Sequence, residues 1–135
     1  MMQKNLVVSG KRKTAIARAT IKEGKGIITV NKKPIEYLSF LRQLELKEPL
    51  IIAKEVLGHL DFDISVHVVS GGMASQIEAA RLAIARAIVK FTKNEKLKTA
   101  YLRYDRNMLI ADTRRKEPYK PGDSKARAGF QTSYR

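Results

Sequence analysis

The chain has 135 residues, enough for one domain with a genuine core, and its 27 Lys and Arg against 13 Asp and Glu leave a formal net charge of +14. Charge of that sign and size points to a polyanionic partner, nucleic acid or an anionic membrane. The absence of cysteine excludes disulfides and cysteine-ligated zinc and fits a reducing compartment.

In chain order, residues 4–9 and 14–22 read as strands. Ala15, Ala17, Ala19 and Ile21 fall on one face of the second, and Ile16, Arg18, Thr20 and Lys22 on the other. Gly24-Lys25-Gly26 signals a hairpin, with Ile27 to Val30 as the returning strand. After a turn at Asn31-Lys32-Lys33, one helix is expected from Pro34 to about Leu44. A second, Leu50 to Leu57, is bracketed by Pro49 at its first position and Gly58 just past its end. Leu60, Phe62, Ile64, Val66 and Val68 then alternate with Asp61, Asp63, Ser65, His67 and Val69, the pattern of a half-buried strand that Gly71-Gly72 breaks. The longest helix is expected from about Ala74 to Phe91, with Ile77, Ile84, Ile88 and Phe91 on one stripe and Arg86, Lys90 and Lys93 opposite. A further helix is expected across Glu95 to Tyr104. The predicted fold class is α+β, a mostly antiparallel sheet with helices on one face.

Beyond this body, 1–111, lies a segment of different composition. Residues 112–135 contain no Val, Ile, Leu or Met, but seven basic residues: Arg114, Arg115, Lys116, Lys120, Lys125, Arg127 and Arg135. Such a segment cannot bury enough apolar surface to offset its ordering entropy. Its cations, with Tyr119, Phe130 and Tyr134 among them, suit a phosphate backbone and unstacked bases. It reads as an extended basic tail that becomes ordered on RNA, and its 24 residues could span roughly 80 Å.

The charge elsewhere is uneven. Residues 1–33 carry nine basic residues and one acidic, 34–72 three and six, and 73–102 six and two. A membrane-binding helix would concentrate its cations on one element opposite bulky apolar residues. Cations spread over a strand region, a helix and a tail favour nucleic acid over a membrane. No 18-residue apolar run and no signal-peptide core follow Met1, so a soluble, unexported chain is expected.

Four groups of residues are candidates for chemistry. Gly10-Lys11-Arg12-Lys13-Thr14 is expected as a loop entering the strand that carries Arg18, its cations free to reach different phosphates or simply solvated. Gly71-Gly72 before a helix N-terminus is either an anion site or a flexible turn. On the long helix, Arg86 and Lys90 have an outward path and small Ala79 and Ala83 beside them would admit an RNA backbone. Arg81, within the apolar stripe, reads as a structural arginine snorkelling from the core edge rather than an RNA ligand. Asp61 and Asp63 share a strand face, as nuclease metal ligands can, but alternating aspartates on such a face more often protect it from other strands. His59 and His67 have no partners that would make a metal site, and no metal or cofactor is expected.

These pieces, in this order, resemble the universal ribosomal protein S-nine family of the small subunit. The resemblance is carried by Gly10-Lys11-Arg12-Lys13-Thr14-Ala15-Ile16-Ala17-Arg18, and by Gly71-Gly72 with Gln76, Ala80-Arg81 and Ile84-Ala85-Arg86-Ala87. In the tail it rests on Asp112-x-Arg114-x-x-Glu117, Lys120-Pro121-Gly122, Lys125-Ala126-Arg127 and Gln131-x-Ser133-x-Arg135. It implies a fold like the second domain of ribosomal protein S-five, with a left-handed βαβ crossover where general chirality favours the right-handed form. It further implies a cytoplasmic, non-enzymatic constituent of the small ribosomal subunit, bound to rRNA and neighbouring proteins of the head. By the same resemblance Lys11, Arg12, Lys13, Arg18, Gly71, Gly72, Arg86, Lys90 and the tail cations Arg114, Arg115, Lys116, Lys120, Lys125 and Arg127 are expected to meet rRNA. Tyr134 and Arg135 are expected to reach peptidyl-site tRNA. Tyr134 stands where bacterial members commonly carry Lys, an archaeal or eukaryotic type of ending. The glycine loop reads Gly71-Gly72-Met73 rather than three glycines.

Overall fold

The computed structural model describes residues 5–119. Two long strands, β1 (Leu6–Arg12) and β2 (Ala15–Glu23), form a hairpin, and a second, short hairpin follows from β3 (Ile28–Val30) and β4 (Lys33–Pro34). Helix α1 (Phe40–Leu57) leads to β5 (Phe62–Val69), then α2 (Met73–Thr92) and α3 (Glu95–Tyr104). The five strands make one mixed sheet in the order β1-β2-β5-β3-β4. The β1/β2, β2/β5 and β3/β4 pairs are antiparallel, and β3 runs parallel to β5.

The alternation legible in the sequence sets which face is covered. Ala15, Ala17, Ala19 and Ile21 of β2 and Phe62, Ile64, Val66 and Val68 of β5 are buried, and α2 lies against β1, β2 and β5. Ile77, Ile84 and Ile88 of α2 are buried as their spacing requires, and full burial of each contributes about 1.5–3 kcal/mol. Small side chains bring this helix close. Ala79 and Ala83 are fully buried, and a Cβ on Gly10 would stand 2.5 Å from the Ala79 carbonyl oxygen and 2.7 Å from the Ala83 nitrogen. They therefore seat the helix on β1 and do not admit an RNA backbone.

Three boundaries differ from expectation. Gly10, Lys11 and Arg12 continue β1 to its pairing with Ala15, so the loop is only Lys13-Thr14, with Lys13 at φ 52°. Pro34 opens no helix; it pairs with Thr29 at the sheet edge and a 3-10 turn, Ile35–Tyr37, follows. The two helices expected on either side of Pro49 are a single helix, with Ser39 as its N-terminal boundary. Proline removes one helical hydrogen bond and crowds the preceding turn. Here its ring is fully buried, and the Tyr101 hydroxyl donates to the Pro49 carbonyl at 2.7 Å, pinning α3 to the interrupted turn. Tertiary burial thus outweighs the local preference to end the helix. Burial also pushes the Tyr101 phenol well above its ordinary pKa, keeping it a neutral donor.

Candidate nucleic-acid interface

At one end of the sheet the β1–β2 hairpin, the glycine loop and the start of the tail meet. Lys11 and Lys13 are exposed there. Arg12 is not: its side chain is 13% exposed, its Nε donates to Glu78 of α2, and its Nη1 lies 3.0 Å from Asp112 Oδ2. The expectation that Arg12 reaches outward is corrected, because it ties β1 to α2 and to the tail's first residue. Asp112 is the centre of this junction. It accepts from the Arg114 backbone N–H and from Arg114 Nε, both at 2.9 Å. Those bonds, with Arg12 nearby, hold its pKa at about 2 against an ordinary 3.8. The Arg114 side chain remains 78% exposed, so its charge still faces solvent.

The glycine loop joins the same end. Gly71, at φ 74°, would place a Cβ 2.8 Å from the Ala15 side chain, so this turn lies directly against the start of β2. Gly72 is the N-cap of α2 and offers no side-chain cap, leaving the first helical N–H groups and the positive end of the helix dipole at this end of the sheet.

Further along α2 the cations part company. Lys90 is exposed, but lies about 26 Å along the helix axis from Met73. Arg86, which was expected to point outward, is half-buried: its Nε donates to the Leu109 carbonyl at 2.8 Å and its Nη1 to the Ser9 carbonyl at 3.2 Å. The chain leaving α3 folds back over it and supplies those acceptors. Arg81 is the structural arginine its position suggested, paired with Glu48 of α1 and, at 3.1 Å, with Asp105 after α3. Burial pulls its pKa down, and the bonds to Asp105 and Glu48 more than reverse this, so the net direction is upward.

Arg18 is exposed on the uncovered sheet face, opposite Ser9 of β1 and His67 of β5 in register. The aspartate pair considered for metal chemistry is divided between other tasks. Asp63 Oδ1 accepts from the N–H groups of Lys25, Gly26 and Ile27 at 2.9–3.1 Å, closing the β2–β3 turn, and these bonds lower its pKa, that from Ile27 most. Asp61 pairs with His59 at 3.1 Å. Sequence reasoning missed Asp112 as an anchor and Asn31, whose side-chain oxygen accepts from the Val68 N–H at 2.9 Å and ties the β3–β4 turn to β5. An Asn in a two-residue turn was the available signal; for Asp112 it was Arg114 two residues on, while its pairing with Arg12 depends on where β1 ends.

Residues 113–119 are exposed and without regular secondary structure, and Lys116 sits 5.1 Å over the Tyr119 ring. The site residues Lys120, Lys125, Arg127, Tyr134 and Arg135 lie outside the described residues. Among those described, no helix is long and apolar enough to cross a membrane.

Comparison with known proteins gives matches along nearly the whole chain. The family described as ribosomal protein S9/S16 matches residues 10–135, from the glycine of β1 to the final arginine. A protein of Methanococcus vannielii named small ribosomal subunit protein uS9 is 48% identical over 130 residues, covering 93% of this chain and 95% of its own length. One of the same name from Methanothrix thermoacetophila is 48% identical over 128 residues, covering 94% and 96%.

Proposed function

Because the chain belongs to the ribosomal protein S9/S16 family, we propose that it is a structural, non-enzymatic constituent of the small ribosomal subunit that binds rRNA in the head and extends its tail to peptidyl-site tRNA. The observation that carries this reading is the reach of the family match, which includes both the basic β1–β2 hairpin and the whole of residues 112–135. In this reading 1–111 is the rRNA-binding body and 112–135 the tail. In the same reading the connection from β3 through α1 to the parallel strand β5 is expected to take the left-handed form of the second domain of ribosomal protein S-five.

Contact with rRNA is assigned to the exposed cations Lys11, Lys13, Arg18 and Lys90, to the N–H groups at Gly71-Gly72, and to Arg114, Arg115, Lys116, Lys120, Lys125 and Arg127. Each neutralised phosphate releases counterions, so affinity falls steeply with salt. Arg12 and Arg86 contribute by holding β1, α2 and the tail's base together. Tyr134 and Arg135 meet the tRNA, Arg135 through a charge-assisted hydrogen bond and Tyr134 through stacking or its hydroxyl. Neighbouring head proteins complete the set of partners.

Deleting Tyr134-Arg135 tests the tail. Peptidyl-site tRNA retention should weaken while subunit assembly stays nearly intact, as read by tRNA binding to purified subunits and by sucrose-gradient profiles. Equal assembly defects from this deletion and from removal of the whole tail would argue against a separate tRNA role. Stable co-migration of the protein with small subunits in high salt tests the ribosomal assignment itself and separates it from a free-standing RNA chaperone.

A further inference from the structure

The sheet face that α2 leaves uncovered has a composition of its own. Register places Thr20 of β2, Ser65 of β5 and Thr29 of β3 in one row across three adjacent strands, and all three are partly or fully exposed. With strands about 4.8 Å apart, such a row presents hydroxyls over roughly 10 Å. None of the three has a side-chain hydrogen-bond partner among the described residues. The row borders a shallow depression of about 410 Å³ that is also lined by Asn5, Lys22 and Asp63.

Cations flank the hydroxyls on both sides. Lys22 lies toward one end, and Arg18, paired in register with His67, lies in the next row toward the other. Asp63 is the acidic residue on the face, and its Oδ1 is taken up by the three N–H groups of the β2–β3 turn. A polyanion therefore meets a positive field. The outward positions Val7, which continues the row beside Thr20, and Ser9, Lys11, Ile16, Arg18, Thr20, Lys22, Thr29, Asp63, Ser65, His67 and Val69 include no Phe, Tyr or Trp. A platform for single-stranded bases requires aromatic rings on which they stack. A flat row of hydroxyls between cations instead suits the wide, shallow minor groove of an A-form duplex, where 2′-hydroxyls line the surface and phosphates border it.

We infer that this open face, through Thr20, Ser65 and Thr29, recognises the 2′-hydroxyls of double-stranded RNA in the minor groove, with Arg18 and Lys22 on the flanking phosphates. The inference rests on the ribosomal reading above and adds to it the class of RNA structure and the atoms read.

The test compares the full chain with its Thr20→Val/Thr29→Val/Ser65→Ala variant, checked for folding by circular dichroism. The probes are an RNA duplex, the same duplex with 2′-fluoro sugars (A-form retained, hydroxyls lost) and the corresponding single strand. Salt is set high enough to suppress non-specific attachment. The wild type should prefer the RNA duplex over its 2′-fluoro counterpart by roughly ten-fold, the scale of one or two net hydrogen bonds, and the variant should lose that preference. Arg18→Gln should weaken both duplexes alike and lower the salt slope by about one. If the triple variant fails to fold, Ser65→Ala at its exposed position must lower the preference by at least about two-fold. A wild type indifferent to the 2′-hydroxyl, a variant that keeps the preference, or a variant that loses single-strand binding as much as duplex binding would overturn the inference. Because co-migration with small subunits is measured separately on the wild type, the face can fail while the ribosomal assignment stands.

Discussion

Asp112 decides how the tail leaves the body. One carboxylate oxygen takes the N–H two residues on while the other takes the Arg114 guanidinium, and Arg12 stands beside it. Its folded pKa of about 2 lies below the ordinary 3.8, so the unfolded chain binds a proton first as pH falls. The stabilisation is present above 3.8 and is lost as pH drops through the folded value. A carbon-detected NMR titration of the Asp112 carboxyl should show a midpoint near 2, and Arg114→Gln should move it up toward 3.8. A wild-type midpoint at the ordinary value would mean that the anchor does not form in solution. The contact of Asp112 with Arg114 two residues on is local, whereas Arg12 and through it Glu78 come from a distant strand and helix and could not be read from the sequence. Arg81 was legible because an arginine inside an apolar stripe needs acidic partners; which acids, Glu48 and Asp105, was not.

Helix α2 joins the others, and Arg86 is its clearest case. Its guanidinium reaches the Ser9 carbonyl of β1 and the Leu109 carbonyl beyond α3. Arg86→Ala should cost about 1–3 kcal/mol of stability in urea unfolding and leave the salt slope of RNA binding unchanged. Lys90→Ala should leave stability alone and reduce that slope by about one. A fall in slope for Arg86→Ala would return this residue to the RNA surface. On a helical projection Arg86 and Lys90 share the outward side, and only the return of the chain after α3 distinguishes them. The strands were legible because alternation in β2 and β5 has one period and one meaning. Helix α1 was not, because proline and glycine punctuation assumes an exposed segment and Pro49 is buried under Tyr101. Gly10 carried a further misreading: beside three cations it suggests a loop, whereas what demands glycine is the helix backbone across from it.

At the scale of the whole molecule, the segment that follows Asp112 stands apart from the core as far as residue 119. Residues 113–119 are exposed and outside the sheet and helices, and at their root Asp112 is largely covered while Arg114 is 78% exposed, so that an ion pair with one partner in solvent contributes little. A chain ending after Thr113 should therefore melt within about 5 °C of the full-length protein while losing much of its RNA affinity. A larger drop in melting temperature would show that the tail supports the body. Composition is the ground for expecting this of the segment from residue 112 on, since a stretch without Val, Ile, Leu or Met has little to add to a core. Which side chains share the open sheet face was beyond the sequence, because it depends on strand register.

The sheet ends at a two-residue strand, and one of the two residues is Pro34. A proline there has no amide hydrogen to offer, and Lys33 beside it adds a charge. Both features make extension of the ladder on that side less favourable. Strand pairing between two copies is therefore disfavoured at this edge, an effect carried by two residues.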